Sequence, residues 1–224
     1  MLMMMGFIVA SFLYYEIRQS QKDTIKRLVK EKSSAVAQLI NQRLEERFVA
    51  LDRMASRHGS NSEEMRASWK KDAQNYYKDF SGFQALEWAN QQTKIEWIYP
   101  IKGNETAIGE VLNSEGKRDY AIKKAIQNGQ GTITKLIQLK QGGAGFLSIH
   151  PTFADSELSG YIVGVFRAND IFSNTIDQNY NVQIKFDGEL VYEQGKNKLE
   201  EYSAWGKTPD TFIHDGYFGE DVRS

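Results

Sequence analysis

The sequence predicts an α+β protein in which a long N-terminal helix precedes a domain built on an antiparallel sheet. Residues 16 to 57 contain neither glycine nor proline, and apolar residues recur there every three or four positions, as on one face of a helix. From Phe83 onwards the apolar residues instead form short runs bounded by Gly, Pro, Asn and Asp, which is typical of strands. With 224 residues and 41% hydrophobic content, the chain can form one or two domains with a substantial core.

Composition excludes several classes of function. The net charge is -1, from 28 basic and 29 acidic residues, so no overall charge favours nucleic acid as a partner. Cysteine is absent, which excludes disulfides, thiolate metal sites and cysteine nucleophiles. The three histidines, His58, His150 and His214, lie far apart and show no metal-ligand spacing. We therefore predict no metal and no cofactor.

Residues 1 to 15, MLMMMGFIVASFLYY, are apolar almost throughout. A membrane-spanning helix needs about 20 such residues, so the run is short. A transmembrane helix truncated at its start, a signal peptide and a buried core helix are the alternatives. The run lacks the basic start and the small-residue cleavage site of a signal peptide. The membrane helix is therefore favoured, with membrane lipid as its partner. The basic residues that follow would place their side in the cytoplasm, but only one flank is available for that comparison, so topology stays open.

Residues 16 to 58 are predicted to form a long stalk helix with an apolar stripe on one side. About 40 helical residues span roughly 60 Å, which exceeds the width of a small domain. We expect the C-terminal half of this helix to pack on its own domain and the first half to pair with a second copy of the chain, giving a homodimer. The stripe consists of Ile25, Val29, Val36, Ile40, Leu44, Phe48 and Leu51.

After a second helix with Trp69 and other aromatic residues on its core side, strand patterns follow. Ala85 to Ala89 and Lys94 to Tyr99 are short strands, and a third helix through Arg118 to Ile126 leads to further strand-like residues at 132–139. Two longer apolar runs then share a polar turn, Gly145 to Phe153 and Gly160 to Ala168. Their glycines weaken a strand unless a bulge, a close backbone approach or a ligand explains them.

The last part of the chain is predicted to begin a second, incomplete domain. Residues 182 to 192, VQIKFDGELVY, have the alternation of a hairpin, with Asp187-Gly188 suited to a type I′ turn. Beyond the hairpin the sequence is polar and irregular up to Ser224. Two strands cannot close a stable sheet of their own, so we expect the chain to stop within this domain.

No catalytic site is visible in the sequence, so we predict that this chain is not an enzyme. Glu87 and Glu96, on neighbouring strands, are either an acid/base pair or solvent-facing residues opposite one another, and nothing near them indicates a raised pKa. Ser148 and His150 share one face of a strand, as a hydrolase would require. No acidic residue that would orient the histidine is evident, which argues against a hydrolase.

Ordered motifs from Phe83 to Phe172 resemble the CHASE domain family, the extracytoplasmic sensory module of histidine kinases and nucleotide cyclases. The resemblance implies a stalk helix, a membrane-distal PAS-like domain with a small-molecule pocket, and a membrane-proximal PAS-like domain. A second membrane helix and a cytoplasmic output domain would follow. The motifs are Ala85-Leu86-Glu87-Trp88, Trp97-Ile98-Tyr99-Pro100, Gly103-Asn104-Glu105, Gly109, Arg118 with Ala121, Ala125 and Gly129, Thr134, Gln141-Gly142-Gly143, Gly145-Phe146-Leu147, Pro151, and Gly160 to Arg167 with Asp170.

The resemblance also suggests a ligand site. Thr134 matches a pocket-lining threonine of the family, whereas Val111 stands where cytokinin-binding members have a carboxylate, which argues against cytokinin as the ligand. We expect a mostly apolar pocket with a few polar groups. The segment from Val111 to Ile126 would cover this pocket. Its candidate ligand-binding residues are Trp88, Trp97, Val111, Thr134, Phe146 and Ser148.

These inferences predict a PAS-like sensor domain at residues 59–172 and a partial second PAS-like domain at 173–224, preceded by the membrane segment at 1–15 and the stalk at 16–58. The protein would lie in the inner or plasma membrane with residues after about 16 on the periplasmic side. A small molecule would be its ligand, and a histidine kinase or diguanylate cyclase its output domain. The alternative is a structural or dimerisation module whose pocket is filled by its own side chains.

Overall fold

The structure is a computed structural model that describes residues 2–59, 62–112, 116–139, 142–179, 181–186 and 189–195. Gln141 of the family motif, the Asp187-Gly188 turn and residues 196–224 of the predicted second domain lie outside the described residues. Of the described residues, those from 40 to 195 form one compact unit, and those from 2 to 39 belong to a second.

The first helix, α1, runs without interruption over Leu2–Arg57 and covers residues 16–57 of the predicted stalk. Among the described residues, no helix combines the length and the apolar character needed to cross a membrane. The transmembrane helix predicted over residues 1–15 is therefore not found, because the apolar run is shorter than a bilayer requires and charged residues follow it from Glu16.

Only the C-terminal half of α1 belongs to the core of the larger unit. Leu44, Leu51 and Met54 are buried there, as predicted for a helix packed on its own domain. Ile25 and Leu28, in the first half, are 53% and 49% exposed. The predicted pairing of that half with a second copy stays a prediction.

A second helix, α2, covers Glu63–Asp79. It begins at Ser62, whose hydroxyl oxygen accepts a hydrogen bond from the backbone N–H of Met65 at 3.1 Å and so satisfies a group that the helix leaves unpaired. Trp69 and Ala73 are its buried residues. The aromatic side of this helix is therefore core, as predicted.

The central sheet is antiparallel and six-stranded. Its strands are β1 (Phe83–Asn90), β2 (Ile95–Tyr99), β3 (Thr132–Ile133), β4 (Ile137–Gln138), β5 (Ala144–Ala154) and β6 (Glu157–Arg167). The order is β2-β1-β6-β5-β3, with β4 also paired to β5. The two apolar runs of the sequence are the hairpin β5–β6 at the centre of this sheet, which confirms that they are adjacent strands.

The links between strands add a short 3-10 helix at Glu105–Ala107 and the helix α3 at Gly116–Asn128. After β6 come the short helix α4 (Ala168–Ser173) and the antiparallel strands β7 (Val182–Phe186) and β8 (Glu189–Gln194). The predicted hairpin is thus present among the described residues. A second PAS-like domain is not.

Two glycines inside the central strands are explained by close packing. A Cβ at Gly164 would lie 2.6 Å from Cδ1 of Leu51, because α1 crosses the sheet at this point. A Cβ at Gly145 would collide with the backbone oxygen of Phe166 on the neighbouring strand. Of the three explanations that the sequence left open, close approach is the one found at both positions.

Candidate functional site

Both faces of the central sheet are covered, and successive residues of a strand point to opposite faces. One face, here called the helix face, packs against α1 and α2: Leu51 of α1 lies over Gly164, and Trp69 of α2 contacts Trp97. The other, here called the α3 face, packs against α3, whose Ala121 and Ile122 join a single buried cluster with side chains of β1, β5 and β6.

The six predicted pocket residues do not form one site. Thr134, next to β3, binds the backbone of β5, and Val111 lies in the loop before α3. The other four belong to the helix face, where they are covered by α1, α2 and one another. These four are Trp88, Trp97, Phe146 and Ser148.

The tryptophans on the helix face form a packed stack. The rings of Trp88 and Trp97 are nearly parallel, with centroids 4.4 Å apart, and Trp69 packs against Trp97 at 5.6 Å. Trp88 is 1% exposed and its indole nitrogen has no hydrogen-bond partner. Phe146 stacks in the same way on Phe166, at 5.1 Å. Such pairs add stability beyond the area they bury, so these residues are part of the core.

Thr134 and Val111 occupy different environments. Thr134 is 1% exposed, and its backbone N–H donates to the oxygen of Leu147 at 2.9 Å. Its hydroxyl accepts a hydrogen bond from the N–H of Leu147 at 3.0 Å, so Thr134 continues the pairing of β3 with β5. Val111 is 39% exposed and forms an isolated bridge with Lys94.

Ser148 and His150 have an acidic partner that the sequence did not reveal. The Oγ of Ser148 lies 2.7 Å from Nε2 of His150, and Nδ1 of His150 lies 2.5 Å from Oδ1 of Asp52 on α1. The order of groups is that of a hydrolytic triad. Ser148 is 1% exposed and His150 is fully buried, however, so the hydroxyl is not presented to a substrate.

Glu87 is the polar residue that the sequence interpretation misjudged. It lies in the middle of β1, on the α3 face, opposite Ile98 and Val163 rather than opposite Glu96. Glu96 instead falls at a β-bulge and accepts a hydrogen bond from the Asn90 side chain at 2.8 Å. The two carboxylates therefore form neither an acid/base pair nor a solvent-facing pair.

The environment of Glu87 is unusual for a carboxylate. The residue is 3% exposed, and burial raises its pKa to about 7, opposed by the charge of Arg118 on α3. Among the residues that the structure describes, no group donates a hydrogen bond to this carboxylate. Buried polar groups are hydrogen-bonded in most proteins, so an exception indicates a functional role or an absent partner. Glu87 is therefore a buried carboxyl group with a raised pKa on the α3 face of the sheet.

A cavity of about 350 Å³ opens at the end of the sheet where the β1–β2 and β5–β6 turns meet. It lies away from Thr134 and Val111, and Trp88 is the predicted pocket residue that lines it. In the described part of the chain, no group of three or more histidine, aspartate or glutamate side chains is arranged to hold a metal ion. The remaining lining residues are Gly59, Asn90, Gln91, Gln92, Glu96, Ala154 and Ser159.

The family model of the CHASE domain matches residues 32–201, more than half of the chain. The chain belongs to the CHASE domain family. This match confirms the resemblance found in the sequence. CHASE domains are extracellular sensory domains of signal-transduction receptors. No curated protein matches the sequence.

Solved structures with a similar fold include a ligand-binding receptor and the ligand-binding domains of chemoreceptors. An extracellular ligand-binding receptor from Desulfohalobium retbaense has 17% identity and a TM-score of 0.56, and the match covers 77% of this chain but 33% of that one. The Pseudomonas aeruginosa PctC domain, in complex with GABA, has 14% identity and a TM-score of 0.55 over 84% of this chain and 85% of its own. The Pseudomonas fluorescens CtaA domain with L-alanine has 16% identity and a TM-score of 0.53, covering 80% and 77%. At these identities the likeness concerns the fold.

Proposed function

We propose that this chain is the small-molecule-sensing region of a longer membrane receptor, and that its ligand binds on the α3 face of the sheet through Glu87. Residues 59–172 would form the sensor, and residues 16–58 would form the stalk. Residues 173–224 would form part of a membrane-proximal domain. A histidine kinase or diguanylate cyclase outside these residues would produce the output. The exposed Ile25 and Leu28 support a homodimer formed through the first half of α1.

The observation that supports this site is the buried Glu87 carboxylate, which has no hydrogen-bond donor among the described residues. A ligand with an ammonium or another strong donor group would satisfy it, and a charge-assisted hydrogen bond in a dry site is strong. The similar domains from Pseudomonas are complexes with L-Arg, GABA and L-alanine, all of which have amino groups. These observations favour an amino acid or a small amine as the ligand.

Signalling would follow from a shift between two states of the domain. A ligand that bonds Glu87 bridges β1 and the covering helix α3, and it stabilises whichever arrangement places the two closest. Because α1 packs on the opposite face of the same sheet, a change in the sheet reaches α1 directly. The helices of the dimer would then move relative to one another.

Thermal unfolding of the whole chain in the presence of single amino acids, amines and purines tests this proposal. A ligand at 100 times its dissociation constant stabilises the folded protein by about 2.7 kcal/mol, which raises the melting temperature by several degrees. The E87Q variant should lose this rise. The matched control E45Q, at an exposed position of α1, should keep it.

A structural or dimerisation module is the second candidate function. It is supported by the burial of Trp88, Trp97, Phe146 and Ser148, whose side chains pack into the core on the helix face. This function predicts that no compound raises the melting temperature of the wild-type chain. It also predicts that the chain dimerises with the same affinity in E87Q.

A further inference from the structure

A buried chain of hydrogen bonds joins α1 to the central strand β5. It runs from the Oγ of Ser148 to Nε2 of His150 at 2.7 Å, and from Nδ1 of His150 to Oδ1 of Asp52 at 2.5 Å. Ser148 and His150 are 1% and 0% exposed, whereas the Asp52 side chain is 46% exposed. The chain thus extends from the edge of the α1–sheet interface, where water has access, to its dry interior.

The hydrogen bonds define which form of His150 fits this position. The Asp52 carboxylate can only accept, so Nδ1 carries the hydrogen and Nε2 is left to accept from the hydroxyl of Ser148. A neutral imidazole therefore satisfies both of its nitrogens. A second proton, at Nε2, would force Ser148 from donor to acceptor and would leave its hydroxyl hydrogen without this partner.

The imidazole is also closely packed. The ring of Phe48 from α1 packs against it at 4.6 Å between centroids, and a Cβ at Gly131 would collide with Nδ1. The residue paired with His150 across the sheet is the apolar Ile162. Among the described residues, Asp52 is the charged group that acts on the ring, and it favours the protonated form. Burial disfavours that form more strongly and lowers the pKa of His150 below its ordinary value of 6.5.

We propose that Asp52, His150 and Ser148 form an acid-sensitive latch that fastens the C-terminal half of α1 to the sheet. The latch is closed when the imidazole is neutral. Local opening exposes the ring to water, where it binds a proton at its ordinary pKa, so acid favours the open state. Because the closed ring binds a proton less readily than the open ring, the opening constant rises as pH falls; the ordinary pKa of the open ring limits this rise to about 30-fold between pH 7.5 and pH 5.0. An extracellular sensor is exposed to the acidity of its surroundings, and this latch makes its contact with α1 depend on that acidity.

Hydrogen exchange of the whole chain, followed by mass spectrometry at pH 7.5 and 5.0, tests the latch. The opening constant is taken from peptides within residues 44–57 after correction for the chemical exchange rate at each pH. We expect a rise of up to about 30-fold in the wild type and in the control E45Q. In the H150Q variant we expect a rise of less than threefold, because no group at this position then titrates. Glu87 is present in the wild type, E45Q and H150Q, so its titration contributes equally when the three proteins are compared at the same pH.

A rise in H150Q equal to that of the wild type, or no rise in the wild type, would overturn the proposal. The buried H150Q variant tests it only if it folds, so D52N, changed at a half-exposed position, provides a second test. Nitrogen-15 NMR of the His150 ring should show protonation at a lower pH in D52N than in the wild type, because the carboxylate that favours the imidazolium is gone. Equal midpoints would show that Asp52 and His150 are not coupled, and the latch would be refuted. Neither readout depends on a ligand, so both are independent of the proposed function.

Discussion

Replacing Glu87 with glutamine should change how the stability of the protein depends on pH. In the folded chain, burial raises the pKa of Glu87 from 4.5 to about 7. A carboxyl group with a raised pKa in the folded state holds its proton there at a pH at which the unfolded chain has released it. Its contribution to stability is therefore fully present below pH 4.5 and is lost as pH rises to about 7. E87Q keeps the shape of the side chain and has no proton to lose.

The size of the effect follows from the two pKa values. Each pKa unit corresponds to about 1.4 kcal/mol, so the difference between 4.5 and 7 amounts to about 3 kcal/mol. The free energy of unfolding of the wild type, relative to that of E87Q, should fall by about this amount between pH 4.5 and pH 8. Between acid and alkaline pH, E87Q should therefore lose less stability than the wild type, even though it lacks the proposed ligand-binding group. A functional group that costs stability is a common feature of binding sites.

Urea unfolding followed by tryptophan fluorescence, at half-unit steps from pH 4.5 to 8.5, measures this difference. E45Q serves as the control, because Glu45 is exposed on α1 and its replacement should leave the wild-type pH dependence unchanged. Parallel curves for the wild type and E87Q would refute the reasoning. They would mean that Glu87 ionises equally easily in the folded and unfolded chain, because water or hydrogen-bond donors solvate its carboxylate in both.

Three further substitutions test the packing that holds the site. T134V should lower the free energy of unfolding by about 1 to 3 kcal/mol in urea titrations, because the buried N–H of Leu147 loses its acceptor; an unchanged value would show that Leu147 finds another. G164A should cost about 1 to 3 kcal/mol by calorimetry, since its Cβ would lie 2.6 Å from Leu51, and a neutral result would mean that α1 moves aside freely. S62A should cost about 1 kcal/mol through the lost helix cap, and faster hydrogen exchange in the first turn of α2 would locate the loss.

The sequence predicted the elements of the fold well, because periodicity reports which residues are buried. The helical stripe of α1, the core side of α2 and the β5–β6 hairpin all follow from it. The faces of the sheet were harder to assign. Both are covered by helices, so β1 is a nearly continuous buried run and its apolar pattern does not tell one face from the other. Trp88 and Thr134 were accordingly placed in one pocket although they have different surroundings.

The two most informative polar groups could not be recognised from local sequence. Glu87 resembles a solvent-facing residue until α3, about 30 positions later, covers it. Asp52 is 98 residues from His150 and becomes its partner only when α1 crosses the sheet. One signal was available: an acidic residue in the middle of a strand whose neighbours are all apolar has no obvious way to reach water. The bulge that displaces Glu96 also could not be predicted, since it depends on the pairing register.

The contact between Leu51 and Gly164 has a mechanical consequence. The side chain of Leu51 fills the space that Gly164 leaves empty, and Phe83 and Phe166 stand on its rim, each within 3.0 Å of where a Cβ would be. A shift of α1 by one residue along its axis, about 1.5 Å, would drive Leu51 into one of these rings. We therefore expect the C-terminal half of α1 to tilt about this contact more readily than it slides along the sheet.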